Sequence, residues 1–277
     1  MFLTISTLYH ENIWENYFKG KESYSSIYIH SKHSLPDTSP FKQYELPSKK
    51  PTTWSNTMRA QIELIKHALK DPANSKFVFL SESTLPLCSF EDTYKAIMRH
   101  NKSEFNYFPN PHAINGSNPD RTRQLKGIPL KLQMKHSQWI ILNRKHTELM
   151  AKDTYYIALT DRSSCDNEHY AGTFLAAHNL LKEVVKKNRT FVDWSNGGPH
   201  PYTFSNFNNQ KDLSLIIKAK RTGCLFARKF DKNYDVNALF NYIKLYPFVS
   251  NYGRNGNRNL ALYLCKKNSI ALQISTL

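Results

Sequence analysis

Four short segments set polar or charged side chains into compact aromatic or apolar sequence, where chemistry needs groups held in place. In the first, Phe77 to Leu87, a strand-like run ends in Ser81, Glu82 and Ser83, groups that bind hydroxyls or serve only their own loop. In the second, Cys165 to Tyr170, Glu168 and Asp166 stand at a helix start; Glu168 there is rigidly mounted to take a proton, or simply complements the helix dipole while Asp166 caps. The third, Asn188 to Phe204, offers Asp193, Trp194 and His200 in a Gly/Pro-rich turn. A tryptophan there stacks on a sugar ring, with the carboxylate holding hydroxyls, or packs in the core. The fourth, Leu225 to Asp231, sets Arg228 and Lys229 between Phe226 and Phe230, the pattern of a partly buried strand rather than of a solvated lysine.

Standard signatures are missing. There is no GxxxxGK[ST], HExxH or GxSxG, and the glycines of Tyr252 to Gly256 do not make a dinucleotide fingerprint. No Asp-x-Asp pair offers the spacing by which many nucleotide-sugar enzymes hold a divalent metal, so phosphate handled here would be met by protein cations. Cys88, Cys165, Cys224 and Cys265 lie far apart without zinc spacing and read as reduced structural thiols.

The elements that must position these groups alternate. Leu3 to Leu8 reads as a strand, Glu11 to Phe18 as a helix and Ser25 to His30 as a strand, a βαβ start. After a Pro- and Ser-rich loop from Ser34 to Thr53, the helical spacing of Met58, Ile62, Ile65 and Leu69 predicts a helix over Ser55 to Leu69. Phe77 to Leu80 reads as an interior parallel strand covered on both faces. Ser89 to Asp92 has capping-box form and starts a helix that ends near Arg99. Asn110 to Lys131 is a long loop. Tyr170, Phe174, Ala177 and Leu181 keep helical spacing, Arg189 to Trp194 is a strand, and a helix spans Val236 to Tyr246. Leu260 to Cys265 and Ile270 to Ser275 suggest a closing hairpin. This order predicts an α/β fold with a largely parallel sheet and a ligand site beyond the C-terminal strand ends.

With 277 residues and ordinary globular composition the chain can bury a real core. No apolar run approaches the roughly 20 residues of a membrane span. The N-terminus lacks a signal-peptide core, so the expected location is cytoplasmic. Lys and Arg exceed Asp and Glu by 16, a positive field that suits nucleic acid, anionic membrane or phosphorylated small molecules.

The four segments, in this order, resemble the core-2/I-branching glycosyltransferase family (glycosyltransferase family 14), in particular its plant-type branch. Tyr9-His10 with Tyr28-Ile29-His30, and Ser137-Gln138-Trp139 with Asn143-Arg144, add to the likeness, which runs from about residue 4 to residue 231. The resemblance implies a GT-A-type fold with a Rossmann-like, mostly parallel central sheet flanked by helices. It implies one catalytic domain over 1–277, with a nucleotide-sugar half near 1–110 and an acceptor half near 111–277. The implied activity is metal-independent, inverting transfer of a sugar from a UDP-sugar to the hydroxyl of a glycan or small molecule. N-acetylglucosamine is the first candidate sugar, xylose and glucuronic acid the next.

In that frame Glu168 is the general base and Lys229 binds the donor diphosphate. Vertebrate members add an arginine that the stretch from Pro201 to Asn206 lacks here; Arg228, or Lys220 and Arg221, are the available substitutes. His10, His30 and Ser31 fall to the nucleotide, with Ser31 where many relatives carry aspartate. Ser81, Glu82, Ser83, Asp193, Trp194 and His200 fall to the sugar pocket, while Trp139 and Arg144 are assigned to structure. No metal or other cofactor is expected, and peripheral contact with anionic membrane is the second use of the positive surface. The competing readings are a basic nucleic-acid-binding protein, whose 16 Tyr and 16 Phe would stack on bases, and an inactive glycan- or nucleotide-sugar-binding relative.

Overall fold

The computed structural model describes residues 1–110, 125–161, 163, 165–206 and 208–245. The chain enters through strand β1 (Phe2–Thr4), helix α1 (Glu11–Phe18), strand β2 (Ile29–Ser31), helix α2 (Met58–Ala68) and two short strands, β3 (Lys76–Val78) and β4 (Leu80–Ser81). Strand β1 pairs in parallel with β2 on one side and β4 on the other, which completes the expected βαβ start. Helix α1 has the bounds read from its sequence because its apolar positions share one face: Trp14 is fully buried, edge-on to Phe2 at 4.9 Å and to Tyr17 at 5.4 Å. Met58, Ile62 and Ile65 form the buried face of α2. Past its end, Arg144 donates from Nη2 to the Leu69 carbonyl and from Nη1 to those of Asp71, Pro72 and Asn74, the structural role expected of it.

The run Phe77 to Leu80 is not one interior parallel strand. Phe79 donates to the Ile140 carbonyl while the next amide, Leu80, donates to Met1, so the run divides between two neighbours. After β5 (Leu85–Pro86) comes helix α3 (Phe90–Met98), capped as its sequence predicts, with the Ser89 hydroxyl accepting from the Asp92 amide at 3.1 Å. There follow β6 (Ser103–Glu104), β7 (Tyr107–Pro109), β8 (Met134–His136), β9 (Ile141–Asn143), α4 (Arg144–Lys152), α5 (Tyr155–Thr160), α6 (Tyr170–Ala177) and β10 (Val184–Val185). The described chain closes with β11 (Thr190–Val192), α7 (Gln210–Arg221), β12 (Phe226–Arg228) and α8 (Val236–Leu245).

A second sheet has the order β10-β6-β9-β3, with β9 antiparallel to both β3 and β6, so the largely parallel arrangement holds around β1 but not here. A third, β11-β12-β5, runs parallel between β11 and β12 and antiparallel between β12 and β5, and β7 pairs with β8. The buried Arg189–Glu104 ion pair, 2.5 Å, ties the second sheet to the third, because the Arg189 carbonyl also accepts from Leu225 and Phe226. Parallel β-strands interleaved with eight helices make the described chain a mixed α/β fold of GT-A-like character. Tyr252 to Gly256 and the two terminal strand-like runs lie outside the described residues, as do 111–124 of the long loop. Among the described residues no helix is long and apolar enough to cross a membrane.

Helix α6 lies directly on β8, and Gly172 permits the approach. A Cβ there would stand 2.9 Å from the Met134 Cβ and 3.0 Å from the His136 Cδ2. The clash outweighs the ~1 kcal/mol that alanine gains over glycine in helix propensity. Gly172→Ala is expected to cost about 1–3 kcal/mol of stability, seen as a lower midpoint in thermal denaturation. An unchanged midpoint would show that the two elements do not pack this closely.

Candidate active site

The loops that follow β1, β4 and β12 meet at one end of the parallel sheet, where open α/β folds hold their ligands. Tyr9 donates its amide to the Glu82 carbonyl at 2.9 Å, and Phe230 donates to the Ser83 carbonyl at 2.9 Å. His10, with a left-handed backbone at φ 57°, donates from Nε2 to the Asp231 carbonyl at 2.8 Å. A side chain in that conformation is uncommon and needs its surroundings to hold it.

Arg228 is fixed from two sides. Its Nε donates to Ser81 Oγ at 3.1 Å, and its guanidinium lies 4.7 Å from the Trp139 ring centroid. Ser81 is buried and its hydroxyl also meets those of Thr84 at 2.9 Å and Ser83 at 3.2 Å. Ser81 and Ser83 therefore build the mount for Arg228. Burial lowers the guanidinium to about 10, against the pull of Glu82, so it stays charged at neutral pH. Lys229 follows through a cis peptide bond and is half-buried; no hydrogen bond holds its ammonium among the described residues. Burial pushes the Glu82 carboxyl up, and its own backbone amide and then the charges of Arg228 and Lys229 pull it back. Lys220 instead faces Cys88 and Asp92, and Arg221 is exposed at the end of α7. Of the substitute cations weighed from the sequence, Arg228 is the one in this cleft.

The turn carrying Glu168 is a short 3-10 segment, Asp166–Glu168, ahead of α6 rather than its first turn. Asp166 does not cap α6. It reaches back to α2, accepting from the Thr57 amide at 3.0 Å and the Met58 amide at 3.2 Å, and burial still raises its carboxyl to about 6. The Thr57 hydroxyl accepts from Asn167 Nδ2 at 2.9 Å and from Gln138 Nε2 at 3.1 Å. A continuous path thus runs from Glu168 through Asn167, Thr57 and Gln138 to Trp139, on which Arg228 rests. Glu168 Oε2 accepts from Lys135 Nζ at 2.5 Å, both side chains remaining partly exposed. Nothing in the sequence marks Lys135 among its many lysines; only the fold brings it, on β8, to Glu168.

Two buried histidines line the base of this turn. His169 Nδ1 donates to the Met134 carbonyl at 2.9 Å and His136 Nδ1 to that of Ser137 at 2.8 Å, and burial lowers each ring to about 4. Between pH 6.5 and 4 the unfolded chain binds protons that these native rings refuse. Stability is therefore complete above the unfolded pKa and falls as the pH drops through that window, by on the order of 3 kcal/mol per ring. Urea denaturation from pH 7 to pH 4.5 checks this: wild type loses stability, and His169→Gln flattens the slope. An unchanged slope would mean that His169 titrates normally.

The remaining sequence-selected residues divide. Asp193 is buried, its carboxylate accepting from Ser195 Oγ at 2.5 Å, while Trp194 is 51% exposed and open to a ligand rather than packed in the core. His200 is exposed and meets Trp54, a residue not singled out above, edge to face. His30 and Ser31 are buried and spend their polar atoms on the loop after β2: His30 Nε2 accepts from the Lys50 amide at 2.9 Å, and Ser31 donates to Glu45. Burial alone would raise the Glu45 carboxyl, but Lys49, Ser31, Lys42 and the Leu35 amide hold it at about 2. Among the described residues, no three His, Cys, Asp or Glu side chains gather as a metal-binding group.

A family model described as "Branch: Core-2/I-Branching enzyme" matches residues 1–216. The match ends inside α7, so Arg228 and Lys229 lie beyond it. The chain is also 28% identical over 247 residues to "Glycosyltransferase BC10" of Oryza sativa subsp. japonica. That alignment covers 74% of this chain, and the chain spans 61% of the curated relative it matches.

Proposed function

This chain belongs to the Core-2/I-Branching enzyme family, and we propose that it is a glycosyltransferase that moves a sugar from a UDP-sugar to an acceptor hydroxyl with inversion, giving a β-glycoside. One observation carries the reading: the cation pair Arg228 and Lys229 stands at the strand ends and is linked, through Trp139, Gln138 and Thr57, to the turn that presents Glu168.

In this reading the donor diphosphate lies against Arg228 and Lys229. Ser81 and Trp139 already hold the guanidinium, so negative charge developing on the departing UDP meets a cation that need not reorganise. Glu168 takes the proton of the acceptor hydroxyl as that oxygen attacks the anomeric carbon. The bond to the diphosphate oxygen breaks on the opposite face, and its electrons leave with UDP. Lys135 occupies one carboxylate oxygen of Glu168 and fixes its orientation, leaving the other for the acceptor. No metal is needed in this scheme, and N-acetylglucosamine is the first donor sugar to test, with xylose and glucuronic acid next. His10 braces the Asp231 loop, and His30 and Ser31 shape the loop after β2.

The experiment is a transfer assay with UDP-N-acetylglucosamine, UDP-xylose and UDP-glucuronic acid, run in EDTA against mixed glycan acceptors, with the product anomer read by NMR. A β-linked product formed in EDTA supports the reading. An α-linked product, or transfer abolished by EDTA and restored by a divalent ion, contradicts inversion or metal independence respectively.

A further inference from the structure

Trp54 is 70% exposed and stands in the loop just before α2. Exposed His200 meets it with ring centroids 5.8 Å apart and planes at 84°, an edge-on contact between side chains from two separate loops. Trp194, half exposed, lies in the same turn as His200. The Trp54 loop is anchored to the Glu168 turn: Asn56 Nδ2 donates to the Asp161 and Ser163 carbonyls, and Thr57, three residues on, is bonded to Asp166, Asn167 and Gln138. Three residues of chain span at most about 10 Å. The Trp54 loop therefore borders the segment that presents Glu168.

The company it keeps identifies its ligand. Residues 52–56 and 194–200 contain Thr, Ser, Asn, Gly, Pro, Trp and His, with no Lys or Arg and no aliphatic side chain. A surface that takes nucleic acid needs several cations for phosphate; here one, Lys211, reaches the 194–200 turn, and its Nζ is already donating to Asn196 Oδ1 at 2.7 Å. One that enters a membrane needs a contiguous apolar patch, which these two segments lack. An aromatic ring beside hydroxyl, amide and imidazole groups matches a sugar ring, which has an apolar C–H face and a rim of hydroxyls.

We propose that Trp54 and His200 form an acceptor subsite that holds a pyranose ring of a glycan chain, remote from the unit whose hydroxyl is attacked. The assignment of that sugar to the acceptor rests on the transferase reading; its binding to Trp54 does not. The acceptor is then an oligosaccharide or longer glycan, not a small hydroxyl compound.

The test is calorimetric titration of the whole chain with β-linked gluco-, xylo- and galacto-oligosaccharides from mono- to tetrasaccharide, and separately with UDP. The expected result is affinity that rises with length in at least one series and falls about tenfold for the tetrasaccharide in Trp54→Ala, with Trp54→Phe recovering most of it and UDP affinity unchanged. Equal binding by wild type and Trp54→Ala, or no binding in any series, overturns the proposal. So does weakened UDP binding in Trp54→Ala, which would place the indole on the donor. Oligosaccharide binding through Trp54 without UDP binding would keep the subsite and sink the transferase; UDP binding without oligosaccharide binding would do the reverse.

Discussion

Replacing Glu168 by glutamine should lower kcat for sugar transfer by about 10²–10⁴-fold, the usual contribution of a positioned general base, while leaving UDP affinity as it was. The substitution keeps the shape of the side chain and leaves an amide oxygen for Lys135, so what disappears is the capacity to take a proton. The side chain is partly exposed and the turn is fixed by Asp166 and Asn167, whose bonds to α2 do not involve it. Folding should be untouched. Steady-state kinetics with a saturating donor, beside a UDP titration, separates the outcomes: retained turnover would remove Glu168 from the chemistry, and lost UDP binding would make it a donor residue.

The second large effect concerns the cation pair. Hydrogen bonds to charged groups contribute roughly 1.5–3 kcal/mol each, which corresponds to about 10- to 150-fold in affinity. Lys229→Ala should weaken UDP by this amount and hardly affect uridine, because the interaction is with the diphosphate. Arg228→Ala should do the same and also unfold more readily, since it uncovers Trp139 and removes the guanidinium bond to Ser81. Arg228→Lys restores charge but not the planar fork, and should recover only part of the affinity. Competition binding with uridine, UMP and UDP gives the answer; equal losses for uridine and UDP would show that the cations act on something other than phosphate.

The local chemistry of the chain was readable before its contacts. Helix α1 and the Ser89 cap of α3 depend on spacings within one or two turns, and the four polar segments stood out against their apolar flanks. Contacts between distant residues were not readable. Asp166 caps a helix more than a hundred residues earlier, Lys135 reaches Glu168 from β8, and Ser31 answers to Glu45. Periodicity carries no record of these pairings. The run Phe77 to Leu80 shows the same limit, since a short apolar stretch fits either a parallel or an antiparallel neighbour, and here it has one of each. Trp54 carries no signal in the sequence, because an aromatic in a polar loop becomes a surface feature only once His200 is beside it.

The aromatic content that suggested base stacking divides in the fold: Phe2, Phe41, Phe77, Phe79 and Phe105 are buried in the core, whereas Tyr24, Phe108 and Tyr155 are exposed.

The proposed donor site is the cleft between the loops after β1, β4 and β12, where Arg228 and Lys229 would meet a nucleoside diphosphate. Its test is calorimetric titration of UDP, GDP and CMP in EDTA, with Lys229→Ala alongside. One UDP bound per chain, in preference to the others and lost in the variant, is the expected result. No nucleotide bound, with single-stranded RNA bound instead and released by salt, would contradict it.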